Sequence, residues 1–173
     1  MNWQQEQILI VQAKAGDKQA LSSLWDVITP KLYGYLVNSC RDKALAEDLL
    51  QTSWLKAIEG LSKFNPQGVG LSPWLFAIAR NELRQHWRKS NREVAFDPSV
   101  HEQTNDNHHE SENQILVEQM LALLSEDDRE LIRLRYIADL SINDIARILN
   151  INFVSARVRL HRALKRARSV VIS

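Results

Sequence analysis

Residues 140–168 read LSINDIARILNINFVSARVRLHRALKRAR, a stretch that predicts two helices joined by a short turn. Ser141, with Asp144 three residues later, has the spacing of a capping box at the start of the first helix. That helix carries one apolar stripe, made of Ile142, Ile145, Ala146 and Leu149. The second helix is expected from about Ser155, and its apolar face contains Ala156, Leu160, Ala163, Leu164 and Ala167. Two short helices with this connection are typical of a helix-turn-helix.

The second helix of this unit is basic along the rest of its surface: Arg157, Arg159, Arg162, Lys165, Arg166 and Arg168. A solvated helix face is the alternative interpretation of such a run. All the charges have one sign, however, and like charges three or four residues apart repel unless a polyanion relieves them. Arginine predominates, and its planar fork fits both phosphates and the guanine edge. We therefore predict that this helix binds DNA, with residues 152–157 towards base edges and the later arginines towards phosphates.

The part of the chain before residue 97 is also helical by its apolar period, and no stretch alternates like a strand. One helix is expected over residues 8–15, and a second begins after Asp17 and is kinked or interrupted at Pro30. A third begins near Lys43 and places on one face Leu50, Trp54, Ala57, Ile58 and Leu61. After a loop with two glycines, Ser72-Pro73 starts a helix that ends near Arg92. Further helices are expected over residues 115–124 and 126–136, so we predict an all-α protein in two parts.

A second basic cluster lies on the helix after Pro73, where Arg80, Arg84 and Arg88 are spaced i, i+4 and i+8. Asn81 and Trp87 are interleaved with these arginines. Cations mixed with an aromatic ring and amides suit a single-stranded or locally melted nucleic acid, because bases stack on rings while the backbone follows the charge. The competing interpretation places Trp87 in the core.

The formal net charge of +1 hides a segregated pattern. Residues 1–92 carry +4, residues 93–128 carry −10 and residues 129–173 carry +7. Residues 97–113 read DPSVHEQTNDNHHESEN and contain almost no apolar side chain, so they are expected to form a flexible acidic linker. Two basic parts on either side of an acidic one point to nucleic acid as the partner.

Other sites receive little support from the sequence. A single cysteine, Cys40, cannot form an intramolecular disulfide, and no apolar stretch approaches the roughly 20 residues of a membrane span, so we expect a cytoplasmic protein without membrane insertion. The histidines of the linker are better explained as polar filler than as metal ligands: His101, His108 and His109, beside Glu110. Residues 68–70 lack the other elements of a phosphate loop, and no nucleophile motif is present. We expect no catalytic residue, no metal and no cofactor.

Taken together, these segments resemble the bacterial RNA polymerase sigma factors of the extracytoplasmic-function group. Residues 46–51, AEDLLQ, followed by WLKA at 54–57, are similar to the segment by which these factors bind the polymerase clamp. Residues 74–81, WLFAIARN, resemble the promoter-melting helix of the family. Leu134-Arg135-Tyr136, Leu140-Ser141 and the following helices resemble its promoter-reading helix-turn-helix. The three segments occur in the family's order and cover nearly the whole chain.

The resemblance implies a transcription initiation factor that is not an enzyme and whose partners are core RNA polymerase and promoter DNA. It implies a region 2-like helical domain at 1–92, an acidic linker at 93–113 and a region 4-like helix-turn-helix domain at 114–173. Polymerase contacts would come from Glu47, Asp48 and Gln51. The melted minus-10 element would be held by Phe64, Asn65, Gln67, Arg80, Asn81, Arg84, Trp87 and Arg88, and such flipping of bases costs a few kcal/mol of unstacking. The duplex minus-35 element would be read by Ser155, Arg157, Arg159, Arg162 and Arg166.

The chain departs from the family pattern at three places. Thr52 follows Gln51 where an acidic residue is usual, and Asn150 occupies the turn of the helix-turn-helix in place of glycine. Asparagine tolerates positive φ better than other residues with a side chain. Phe153 and Val154 replace smaller residues at the start of the second helix, so no minus-35 sequence preference is carried over.

Two alternatives and one supplement remain open at this point. The first alternative is a stand-alone helix-turn-helix regulator that acts without polymerase, and the second is a metal-dependent enzyme using the histidines and glutamates of the linker. The supplement is an anti-sigma factor as a further partner, which the family resemblance admits and no motif identifies.

Overall fold

The computed structural model describes residues 2–66, 68–96 and 124–171, and it divides the chain into two units, Met1–Thr104 and Asn105–Ser173. All regular elements within these ranges are helical, which confirms the prediction of an all-α protein. The helix expected over residues 115–124 lies outside the described residues except at its last position, as does most of the acidic linker. Among the described helices, none is long and apolar enough to cross a membrane.

The first unit contains four α-helices: α1 (Trp3–Lys14), α2 (Lys18–Cys40), α3 (Lys43–Gly60) and α4 (Leu71–Phe96). A 3-10 turn, Leu61–Lys63, follows α3 directly. Side-chain oxygens of Asn2, Asp17 and Asp42 accept backbone N–H groups at the starts of α1, α2 and α3. Each helix packs against the next along the chain, and α4 also returns to contact α2. The result is a bundle whose last helix, α4, carries the basic cluster.

Helix α2 continues through Pro30, so of the two expected outcomes, a kink or an interruption, the interruption does not occur. Proline inside a helix removes one backbone hydrogen bond and costs about 3 kcal/mol. Ile28 and Leu32, on either side of Pro30, are 3% and 0% exposed. Their burial against the neighbouring helices stabilises a continuous helix that the local sequence disfavours.

The core of this unit is centred on Trp54, whose side chain is 2% exposed. Its indole N–H donates to Thr29 Oγ1 at 3.1 Å, and its ring lies 4.7 Å from that of Trp25. Trp25 itself is 37% exposed, so it covers Trp54 from the solvent side. The apolar face predicted for α3 is wrong at Ile58, which is 44% exposed.

The second unit contains α5 (Glu126–Ile132), a π-helical turn (Arg133–Ile137), α6 (Ile142–Ile148) and α7 (Phe153–Val171). Helices α5 and α6 both pack on α7. The side chains between them are apolar and almost fully buried, including Leu131, Leu134, Ile145, Leu160 and Ala163. Helices α6 and α7 are the two helices predicted for the helix-turn-helix.

The turn between α6 and α7 is made by a left-handed residue. Asn150 has φ of +53°, which confirms that asparagine occupies the position where glycine is usual. Ser141 begins α6, and its hydroxyl accepts the backbone N–H of Asp144 at 3.1 Å. The same hydroxyl lies 2.6 Å from Asp144 Oδ2. In the predicted capping box, the Asp144 carboxylate therefore bonds to the Ser141 hydroxyl and not to the Ser141 backbone N–H.

Candidate nucleic-acid interface

Helix α4 presents an open concavity of about 420 Å³, here called the α4 groove, lined by Asn81, Arg84, Trp87, Arg88 and Asn91. Trp87 is half-buried and forms part of the wall, so its ring lies at the surface rather than in the core. The groove combines a flat aromatic ring, two guanidinium groups and two amides. A stacked base with its phosphate needs this combination of an apolar face, hydrogen-bonding groups and positive charge.

The opposite face of α4 is fixed to the rest of the unit. Leu75, Ala79 and Leu83 are buried, and they follow one another at intervals of four residues, which places them on one face of the helix. Glu82 forms an ion pair with Lys56 of α3 at 2.6 Å. Arg80 is half-buried and has interactions of its own, and it does not line the α4 groove. The groove is consequently carried by a helix whose orientation is set by packing.

The loop before α4 contains three residues predicted to hold bases. Phe64 is 6% exposed, and its ring stacks on that of Trp74 with 4.5 Å between the ring centroids, so it packs against α4 at the start of the loop. A base contact by Phe64 would require the ring to leave this stack. Asn65 is exposed, and Gln67 lies outside the described residues.

Helix α3 carries the residues predicted to contact polymerase. Glu47, Asp48 and Gln51 are all exposed on its outer side. Helical spacing continues this side to Leu55 and Ile58, which are 61% and 44% exposed. We call these five residues the α3 strip. Burial raises the pKa of the Tyr33 phenol above its ordinary value, and Glu47, 3.4 Å from the phenol oxygen, raises it further, so the phenol remains a donor to the strip.

Helix α7 begins at Phe153, two residues before the predicted start, because Asn152 caps it. The Oδ1 atom of Asn152 accepts the backbone N–H of Ser155 at 2.7 Å. Ser155 is half-buried, and the arginines at 157, 159 and 162 are all exposed. The buried face of α7 consists of Ala156, Leu160, Ala163 and Ala167. Three of the predicted DNA-contacting arginines therefore project away from the core.

Arg166 is held differently from these three arginines. Its Nε and Nη2 atoms donate to the two carboxylate oxygens of Asp128, each at 2.6 Å. Asp128 is 6% exposed, and the hydrogen bond to it raises the pKa of the Arg166 guanidinium above its ordinary value. This pair ties α7 to α5. A phosphate contact by Arg166, as predicted, would have to share the guanidinium with Asp128.

The first turns of α7 also expose apolar side chains, two of them within the predicted base-facing residues 152–157 and one, Val158, beyond that range. Phe153, Val154 and Val158 are 44%, 67% and 41% exposed. Val154 and Val158 are one turn apart on the side opposite the buried face, between Arg157 and Arg159. The helical spacing of the sequence already indicates that these valines are exposed, because both fall outside the predicted apolar face of α7.

The histidines considered for a metal site, His101, His108 and His109, lie outside the described residues together with Glu110. Within residues 2–66, 68–96 and 124–171, there is no group of three or more histidine, cysteine, aspartate or glutamate side chains that could hold a metal ion.

Two family patterns match the chain. The pattern described as "Sigma-70 region 2" matches residues 24–93, and that described as "Sigma-70, region 4" matches residues 114–166. The first match includes the α3 strip and the α4 groove, and the second includes the helix-turn-helix. Helix α1 precedes both matches.

Individual relatives and one solved structure agree with this assignment. The ECF RNA polymerase sigma factor BldN of Streptomyces coelicolor is 27% identical over 164 residues, which cover 91% of this chain and 62% of that protein. The chain thus spans less than two thirds of that relative's length. The ECF RNA polymerase sigma factor SigM of Bacillus subtilis is 26% identical, with 87% and 94% covered. The sigma factor RpoE of Bartonella quintana, solved with the anti-sigma factor NepR, aligns with a TM-score of 0.74 at 28% identity, covering 87% of this chain and 96% of RpoE.

Proposed function

We propose that this chain directs core RNA polymerase to specific promoters. The premise is its family: the chain belongs to the sigma-70 family and is an RNA polymerase sigma factor of the extracytoplasmic-function type. The observation that carries this proposal is the presence of two differently built basic surfaces on one chain. The α4 groove offers a ring beside cations, which suits an unpaired strand. Helix α7 offers exposed arginines on the second helix of a helix-turn-helix, which suits a duplex.

This geometry supports a proposed division of work between the two units. The region 2-like part would hold the melted minus-10 strand in the α4 groove, with Asn81 and Trp87 against bases and Arg84 and Arg88 against phosphates. The region 4-like part would place α7 in the major groove of the minus-35 element. Arg157, Arg159 and Arg162 supply the charge for phosphates and base edges.

The α3 strip is the proposed contact with core polymerase, which would place the protein in the cytoplasm. It joins acidic residues to exposed apolar ones, Leu55 and Ile58, within a single helix. An interface of this kind combines charge steering with apolar burial. An anti-sigma factor is a further proposed partner, by analogy with RpoE of Bartonella quintana, which was solved in complex with the anti-sigma factor NepR.

Reconstitution with purified bacterial core RNA polymerase tests the proposal. We expect the protein to bind core enzyme and to produce specific initiation from a subset of a random promoter library. Asp48→Lys in the α3 strip should weaken core binding, whereas Asp26→Lys, an equal charge change at an exposed position of α2, should leave it unchanged. Failure to bind core enzyme at low salt would contradict the proposal. Tight duplex binding without polymerase, with a two-fold symmetric footprint, would instead support a stand-alone regulator.

The exposed valines of α7 are expected to read thymine. The major-groove edge of thymine carries a methyl group, the apolar contact that a base edge offers there. On promoters selected by the wild type, replacing minus-35 thymines by uracil should weaken binding where a valine meets a methyl group. Val154→Ala/Val158→Ala should remove this dependence, while Val27→Ala, an exposed valine of α2, should retain it. Equal thymine dependence in the valine variant and the wild type would contradict the assignment.

A further inference from the structure

Helix α1 reaches both ends of the loop that leads into α4. At one end, the Lys14 ammonium donates to the backbone carbonyl oxygen of Phe64 at 2.7 Å. At the other, Glu6 Oε1 accepts the backbone N–H of Leu71 at 2.9 Å, at the start of α4. Both partners on α1 are charged, and hydrogen bonds of this kind are about twice as strong as neutral ones. We call these two contacts together the α1 bridge.

The two charged residues of the α1 bridge are held at a fixed separation by the helix that carries them. Glu6 and Lys14 are eight residues apart on one helix, so their Cα atoms are separated by roughly 12 Å along a rigid axis. The loop between their partners contains residues 65–70, including Asn65 and Gln67. Fixing both ends of a loop to one rigid element reduces the conformations available to the residues between them.

Gly70 supplies an independent observation that this contact is specific. A Cβ atom placed on Gly70 would lie 2.9 Å from Glu6 Oε1 and 3.0 Å from Glu6 Oε2. A side chain at position 70 would therefore require the end of the Glu6 side chain to move, which would disturb its hydrogen bond with the Leu71 N–H. The carboxylate also faces the first turn of α4, where the helix dipole favours a negative charge.

We infer that α1, which lies before the region 2 match, is a positioning element for minus-10 recognition: Glu6 and Lys14 set the geometry of the base-holding loop. This inference rests on the proposed function, because it assigns a role to a loop that faces promoter DNA only in that function. Neither residue touches DNA in this account. Both act through the backbone groups of Phe64 and Leu71.

The first measurement uses the protein without DNA, by amide hydrogen exchange. In Glu6→Ala the Leu71 amide should lose its protection, and in Glu6→Gln, which keeps a side-chain oxygen acceptor, most of the protection should return. Glu59→Ala, an equal charge change at an exposed position of α3, should leave Leu71 unchanged. Unaltered protection of Leu71 in Glu6→Ala would overturn the inference whatever the protein's function is.

The second measurement uses reconstituted polymerase and a library with randomised minus-10 and minus-35 segments. We expect Glu6→Ala/Lys14→Met to reduce discrimination among minus-10 sequences by at least about tenfold, because both charged hydrogen bonds are lost and one such bond already contributes about this factor. Discrimination at minus-35 and affinity for core enzyme should stay within about twofold of the wild type. The single variant Glu6→Gln, which keeps Lys14 and a side-chain oxygen at position 6, should retain most of the wild-type discrimination among minus-10 sequences.

The outcomes separate this inference from the proposed function. Equal losses at minus-10 and minus-35 would show that α1 only stabilises the fold, and the inference would be overturned while the function stands. Full minus-10 discrimination in the double variant would overturn it in the same way. Selection of no promoter by the wild-type protein would overturn both.

Discussion

Arg157→Ala/Arg159→Ala is expected to weaken promoter binding by the reconstituted polymerase more than any other pair of charge deletions on the surface. Each arginine that reads a base through two hydrogen bonds contributes about 1–3 kcal/mol of discrimination, so one deletion weakens binding roughly 5- to 150-fold. Both side chains are exposed on the part of α7 that is proposed to face DNA. Lys18→Ala/Lys43→Ala removes the same charge from exposed positions of the first unit and should have little effect.

The salt dependence of binding distinguishes base contacts from phosphate contacts. Each lost phosphate contact should reduce the slope of log K against log salt by about 0.9. A residue that reads a base should lower specific binding far more than binding to random DNA. Uniform losses on every DNA sequence would therefore reassign Arg157 and Arg159 to the phosphate backbone, and no loss at all would remove them from the interface.

The largest expected effect on stability comes from Trp54→Ala in the first unit. Removing a buried tryptophan costs about 3–5 kcal/mol, because the transfer of the ring from water is lost and a cavity remains. The change also leaves Thr29 Oγ1 without the indole donor and Trp25 without the ring it covers. We expect urea unfolding of the first unit to shift accordingly, as followed by hydrogen exchange in α2 and α3.

A matched variant tests whether burial is the cause of this effect. Trp3 is 48% exposed on α1, and Trp3→Ala should change stability by no more than about 0.5 kcal/mol. Comparable destabilisation by both variants would contradict the assignment of Trp54 to the centre of the core. Because the chain has two units, exchange in α5 and α7 serves as an internal reference that neither change should alter.

Much of the second unit could be predicted from the sequence, because its signals are local. The apolar stripe of α6, the cap at Ser141 and the positive φ at Asn150 each depend on residues within a few positions of one another. Local signals also predicted α3 from Lys43 and a basic face on α4. A short-range pattern reports which residues share a helix face.

Other features of the structure depend on which elements pack together, and the sequence does not encode that locally. The apolar period of α3 predicted burial of Ile58, but its side chain is 44% exposed. Pro30 predicted a kink or an interruption, and the helix runs on through Pro30 with Ile28 and Leu32 buried on either side of it. The pair between Arg166 and Asp128 joins residues 38 positions apart, and it changes the environment of an arginine that the sequence presents as equivalent to the others.

Because Gly70 lies close to Glu6, the residue at position 70 limits which residue can occupy position 6, although the two positions are far apart in the sequence. A residue with a Cβ atom at position 70 requires a shorter or displaced side chain at position 6, and a shortened side chain at position 6 leaves the Leu71 N–H without its acceptor. Single substitutions at either position are therefore unfavourable even though each residue alone looks replaceable. Among related chains, we expect positions 6 and 70 to change together.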